Sequence, residues 1–147
     1  MALRAVPDAN LLISAVINPR GTPGRVVVAA ALGGCTLVAS PHLLAEVEEV
    51  LGREALRRWV TPDEARRFLT ELDSLVELVP DAPRPWAAVS RDPDDDYLVA
   101  LARAAGADAL VSGDHDLTSL VGLVPPVMTP AAFLAMLEEA AEQGEHV

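Results

Sequence analysis

At Ser40-Pro41, Thr61-Pro62 and Thr129-Pro130 a hydroxyl residue followed by proline heads a run with helical apolar spacing. A Ser or Thr oxygen accepts from the free amides of a first helical turn, and proline fits that turn because its missing N–H is not needed there. Between these helix starts lie short apolar stretches that read as strands: Leu3 to Val6, Thr36 to Ala39, Leu75 to Val79, Ala109 to Val111 and Val127-Met128. Further helices are expected over Leu11 to Ile17, Arg25 to Leu32 and about Asp94 to Ala105, each closed by a turn containing Gly or Pro. Strands alternating with helices predict an α/β domain around a mostly parallel sheet, and 147 residues suffice for one domain, 1–147. The tail from Gln143 to Val147 is expected to fray.

Charge narrows the chemistry. The chain carries 22 acidic and 11 basic residues, a formal net charge of −11, and every basic residue is arginine. Without lysine there is no Schiff-base amine, no phosphate-loop lysine, and no lysine beside a phospho-accepting aspartate. The single cysteine, Cys35, has no intramolecular partner, the chain does not open on a signal-like segment, and no apolar run approaches the roughly 20 residues of a membrane span. A cytoplasmic protein with no membrane association is the expectation. So acidic a chain is a poor general binder of nucleic acid unless its charge is segregated. Arg53, Arg57, Arg58, Arg66 and Arg67 do fall in one short stretch, either to contact a polyanion or to pair with Glu54, Asp63 and Glu64 on a solvated face.

Ligands bind parallel sheets at the carboxyl ends of the strands, and the acids collect there. Asp8 follows the first strand, Asp114 and Asp116 follow the Ala109-Val111 strand, and Glu46 and the run from Asp92 to Asp96 lie in early turns of helices that start near the same edge. Each acid alone has a plainer use, as a helix cap, a solvated helix residue or a turn residue. In the helix from Pro41, Glu46 lies about 100° from the centre of the apolar face and Glu48 flanks the other side, so phase leaves the two tied. In the later helix Asp95 takes a flank, while Asp96 is expected to point nearly opposite the core; Asp92 and Asp94 stay open as alternatives. Crowded carboxylates repel one another unless a cation sits among them, and an all-oxygen set fits magnesium or manganese. His42, His115, His146 and Cys35 show no zinc-ligand spacing. Carboxylates holding one or two such ions activate water against a phosphodiester, and the signatures of acyl transfer, hydride transfer and nucleotide hydrolysis are missing.

These residues resemble the PIN-domain family, in the group that supplies toxins of toxin-antitoxin pairs. The matching pieces are Val6 to Asn10, Ser40-Pro41 through Glu46-Val47, Asp92 to Asp96 with Leu98 and Leu101-Ala102, Val111 to Leu117, and Thr129-Pro130 with Phe133-Leu134. The resemblance implies a three-layer fold with a central parallel sheet of four to five strands. It implies that Asp8, Glu46, Asp95 and Asp114 bind magnesium or manganese and carry catalysis, with Asp116 a fifth ligand and Asn10 and Ser112 supporting them by hydrogen bonds. It further implies cleavage of single-stranded RNA, a homodimer or higher oligomer, and a small antitoxin protein that covers the site. Pro7 and Ala9 depart from the family, which has a branched apolar residue and threonine there. Two alternatives remain open: a PIN nuclease of RNA maturation or decay, and a catalytically silent metal-binding or interaction module.

Overall fold

The computed structural model describes residues 2–89 and 93–145, with main chain alone at 93, 94, 144 and 145. Five strands, β1 (Leu3–Pro7), β2 (Cys35–Ala39), β3 (Glu77–Leu78), β4 (Ala109–Val111) and β5 (Val127–Met128), form an all-parallel sheet in the order β3-β2-β1-β4-β5. The helices are α1 (Ala9–Ile17), α2 (Thr22–Ala31), α3 (Pro41–Leu51), α4 (Pro62–Leu75), α5 (Pro93–Ala104), α6 (His115–Thr118) and α7 (Pro130–Glu145). Among them α1, α2, α3 and α7 pack against one another, and α5 packs on β1 and β4. Right-handed crossovers running in opposite directions from β1 set these two groups on opposite faces, which gives three layers. The domain therefore follows the α/β expectation of a central parallel sheet flanked by helices.

Order in this sheet decides where a site can form. The chain steps outward from β1 to β2 and β3, then returns to place β4 on the other side of β1, so the switch point lies between β1 and β4. There two adjacent crossovers leave in opposite directions and open a crevice at the carboxyl ends of the strands. Pro7 ends β1 and has no N–H for the ladder; Asp8 resumes it, donating its amide to the Val111 carbonyl at 3.0 Å. The three inner strands are mostly apolar and buried, with Val6, Leu37, Val38, Leu110 and Val111 at the centre, whereas β3 at the edge is exposed.

The Ser40, Thr61 and Thr129 starts all act as caps. Ser40 Oγ accepts from the Leu43 amide at 3.3 Å, Thr129 Oγ1 from the Ala132 amide at 3.1 Å, and Thr61 forms a reciprocal capping box with Glu64. Two helices begin earlier than the apolar spacing implied, because Asp8 caps α1 and Pro23 sits in the first turn of α2. The Gly113 to Asp116 turn runs into a helix of its own, α6, which Asp114 caps and whose Leu117 is fully buried. At the other end α7 is helical through Glu145, while His146 and Val147 lie outside the described residues.

At Gly24 the packing of α2 is tight. A β carbon there would stand 2.2 Å from the Pro19 carbonyl oxygen, main chain that cannot swing aside. Gly24→Ala is expected to lower unfolding free energy by about 1–3 kcal/mol, the usual cost of overpacking, as read by urea denaturation. Gly113→Ala, where no atom lies within 4 Å of the added carbon, is expected to change it little.

Candidate metal centre

Asp8 is only 4% exposed, and its carboxylate lies at the switch point. One oxygen, Oδ1, accepts from the Leu11 amide at 2.8 Å and caps α1; the other, Oδ2, accepts from the Ser112 hydroxyl at 2.5 Å across from β4. Ser112, itself fully buried, also accepts from the Asp114 amide at 2.9 Å, and Asp114 Oδ1 accepts from the Asp116 amide at 2.9 Å as it caps α6. A chain of hydrogen bonds thus runs from Asp8 through Ser112 to Asp114. The capping role open to Asp8 and its place in the acidic set coincide: one oxygen serves the helix while the carboxylate faces its charged neighbours.

Burial pushes the Asp8 carboxyl above its ordinary value of 3.8, the Ser112 and Leu11 hydrogen bonds pull it back, and the charges of Asp114 and Glu46 push it up again. Glu46 is half-buried on α3, where it accepts from the Tyr97 hydroxyl of α5, whereas Glu48 is exposed. That contact ties Glu46 to α5. The buried Tyr97 phenol is held far above its ordinary range by burial, by its bond to Glu46 and by the charges of Glu46, Asp8 and Asp95. Asp95 is half-buried, Asp114 half-buried and Asp116 exposed.

Asp96 corrects the helical phase argument. It is 6% exposed, and its Oδ1 accepts from the Val89 amide at 3.1 Å, because the segment leading into α5 folds back over this side of the helix. Treating every direction away from the sheet as solvent missed that cover. Asp92 and the Asp94 side chain lie outside the described residues. Tyr97 is a residue that sequence reasoning missed. Its signal was present, as the only tyrosine of the chain directly after the acid run.

The other named residues fall at different distances from this centre. Asn10 is exposed and lines a cleft of about 290 Å³ with Asp114, Ser14 and Gly113. Arg53 pairs with Glu49 at 2.7 Å, Arg66 pairs with Asp63, and Arg57 donates to the Val60 carbonyl at 3.0 Å and to that of Leu51. Arg58 lies 4.8 Å over the Trp59 ring, and Arg67 lines a separate groove with Glu64, Phe68 and Glu71. His115 is exposed at the start of α6.

The donor set around Asp8 consists of carboxylate and hydroxyl oxygens, which fits a hard divalent cation. Among the described residues no three acids, histidines or cysteines are drawn close enough to grip one as they stand. A cation of this class keeps several waters and needs few direct protein ligands, and the electrostatic coupling of Asp8, Asp114 and Glu46 marks where positive charge is favoured.

A PIN domain family model matches residues 4–116. The uncharacterized protein MJ1680 of Methanocaldococcus jannaschii is 29% identical over 119 residues, covering 80% of this chain and 75% of that protein. Among solved structures, PAE2754 from Pyrobaculum aerophilum superposes with a TM-score of 0.65 at 19% identity, covering 95% of this chain and 92% of that one. A chain of VapBC2 from Rickettsia felis, a complex solved with a DNA fragment from its promoter, gives 0.58 at 14% identity, covering 86% of this chain and 98% of that one. These two structures share the fold.

Folded Asp8 holds its proton at pH values where the unfolded chain has already released it, so stability falls as pH rises from about 3.8 through the raised folded value. Asp8→Asn keeps a capping oxygen and removes the buried charge. In EDTA at pH 7 it is expected to gain about 1 kcal/mol, as relieved functional sites do, and the gain shrinks as pH falls toward 4, measured by thermal unfolding across pH.

Proposed function

The chain belongs to the PIN-domain family, and on that premise we propose that it is a metal-dependent endoribonuclease of single-stranded RNA, the toxin of a toxin-antitoxin pair. PIN domains are generally nucleases. The observation that carries the reading for this chain is the Asp8 carboxylate buried at the switch point of the sheet and linked through Ser112 to Asp114. A buried carboxylate is costly unless positive charge joins it. Asp8, Glu46, Asp95 and Asp114 would hold one or two magnesium or manganese ions, with Asp116 at the exposed edge. When bound, such ions lower the pKa of a water and brace the leaving oxygen of an in-line phosphodiester displacement.

The chain's own groups set the geometry. Ser112 holds the orientation of Asp8 by donating to Oδ2, and the second lone pair of that oxygen stays available to a ligand. Tyr97 holds Glu46 in the same way from α5, and because its own proton is firmly retained it stays a donor. Asp114, fixed by its cap on α6, brings a third carboxylate from β4. Asn10 borders the same cleft and would contact substrate or a bound water. The products would carry 5′-phosphate and 3′-hydroxyl ends.

The fold likeness to VapBC2 supports a small antitoxin partner, and a homodimer and cytoplasmic action accord with that reading. Among the five clustered arginines, Arg58 and Arg67 are exposed and best placed to meet RNA or an antitoxin, since Arg57 is tied to main-chain carbonyls and Arg53 and Arg66 to acids. No helix among the described residues is long and apolar enough to cross a membrane.

Labelled single-stranded RNA incubated with the purified protein is expected to be cleaved with manganese or magnesium and left intact with EDTA. Asp8→Asn and Asp114→Asn are expected to fall to the EDTA level, and Ser112→Ala to lose about 10–100-fold through misplacement of Asp8. Cleavage that persists in EDTA, or unchanged in Asp8→Asn, refutes the assignment.

A further inference from the structure

Beside the carboxylates stands a group of rings that the hydrolytic chemistry leaves without a task. Aromatic residues are 3% of the chain, yet one of its two tryptophans and its only tyrosine meet here, next to a histidine. His42 lies in the first turn of α3, one helical turn before Glu46, so the ring and the carboxylate share a side of the helix. Its centroid is 4.2 Å from the Tyr97 ring and 6.0 Å from Trp86, and Trp86 is 5.8 Å from Tyr97. Tyr97 is buried and bonded to Glu46, Trp86 is half-buried, and His42 is exposed.

Main-chain and side-chain bonds hold this group in place. Asp81 accepts from the His42 amide at 3.1 Å, the Val79 amide donates to the Ala39 carbonyl at 2.9 Å, and the Val89 amide donates to Asp96. These fasten the segment carrying Trp86 to the carboxyl edge of the sheet at both ends. The indole N–H is already paired with the Ala82 carbonyl at 3.0 Å, which leaves the Trp86 ring to act through its π-face. Arg84, exposed, lies 4.5 Å from the ring centroid over one face, so on that side the guanidinium covers the indole and a base would meet the guanidinium, with the ring behind it. Aromatic planes with an arginine beside a backbone-cleaving centre are what single-stranded nucleic acid stacks on, since every base offers a π-face.

We propose that His42 and Trp86, with Arg84, form a stacking site for one nucleobase of single-stranded RNA, adjoining the scissile phosphate. The proposal rests on the nuclease reading above and adds a contact to the substrate that the carboxylates cannot supply. Tyr97 joins the two parts, supporting the His42 ring and orienting Glu46.

The test is cleavage, with manganese, of an RNA oligonucleotide and of a series in which each base near the cut is removed in turn. For the unaltered protein, removing one particular base is expected to lower kcat/KM about tenfold. His42→Ala is expected to lose a similar factor on intact RNA and nothing further on that abasic strand, while His42→Phe, which keeps a ring, is expected to lose less than His42→Ala on intact RNA and to remain sensitive to the missing base. Thermal unfolding of both variants confirms that the domain is folded. If His42→Ala cleaves as well as the unaltered protein, or its loss multiplies with that of every abasic position, the stacking site is refuted and the nuclease reading stands. If the unaltered protein cleaves no RNA, both fall.

Discussion

The hydrogen bond from the Ser112 hydroxyl to Asp8 joins the two strands between which the sheet reverses its winding order. It links the residue after β1 to the residue after β4 through side chains that are both buried. A carboxylate this deep is disfavoured by desolvation and by Asp114 and Glu46. Only hydrogen bonds donated to its ionised form, here from Ser112 and the Leu11 amide, offset part of that cost. The fold thus holds negative charge where apolar packing alone would exclude it. Such an arrangement is expected where charge is needed for function and a counter-charge arrives from outside the chain.

From this link the remaining geometry follows. Ser112 Oγ also takes the Asp114 amide, so the turn after β4 is set by the group that sets Asp8, and Asp114 then caps α6. On the opposite flank, α3 begins at the Ser40 cap and carries Glu46 one and a half turns along, where Tyr97 of α5 meets it. The caps that start the helices are therefore the same devices that deliver the acids. Helix capping and membership of the acidic set thus coincide in Asp8 and Asp114.

Much of the fold could be read from local chemistry. The Ser40-Pro41, Thr61-Pro62 and Thr129-Pro130 starts, and strands too apolar for anything but a sheet covered on both sides, sufficed for the alternation and the parallel core. The carboxylates of Asp8 and Asp114 followed from their places just after strands. What stayed hidden depended on contacts distant in sequence. Helical phase left Glu46 and Glu48 tied, and could not show the bond that Tyr97, fifty-one residues later, makes to Glu46. It misplaced Asp96, because the segment ending at Val89 covers a helix face that local periodicity counts as solvent. The turn at Gly113 to Asp116 was legible, but its continuation as α6 depends on burying Leu117 against the fold.

If the acids around Asp8 form a site completed by a divalent cation, direct binding reveals it without assuming a substrate. Manganese titrated into the protein, followed by the electron paramagnetic resonance signal of the free ion, is predicted to show saturable binding of one or two ions, competed by magnesium. In Asp8→Asn that binding should be lost while the variant remains folded. Equal binding in the unaltered protein and in Asp8→Asn, or none in either, would contradict the account.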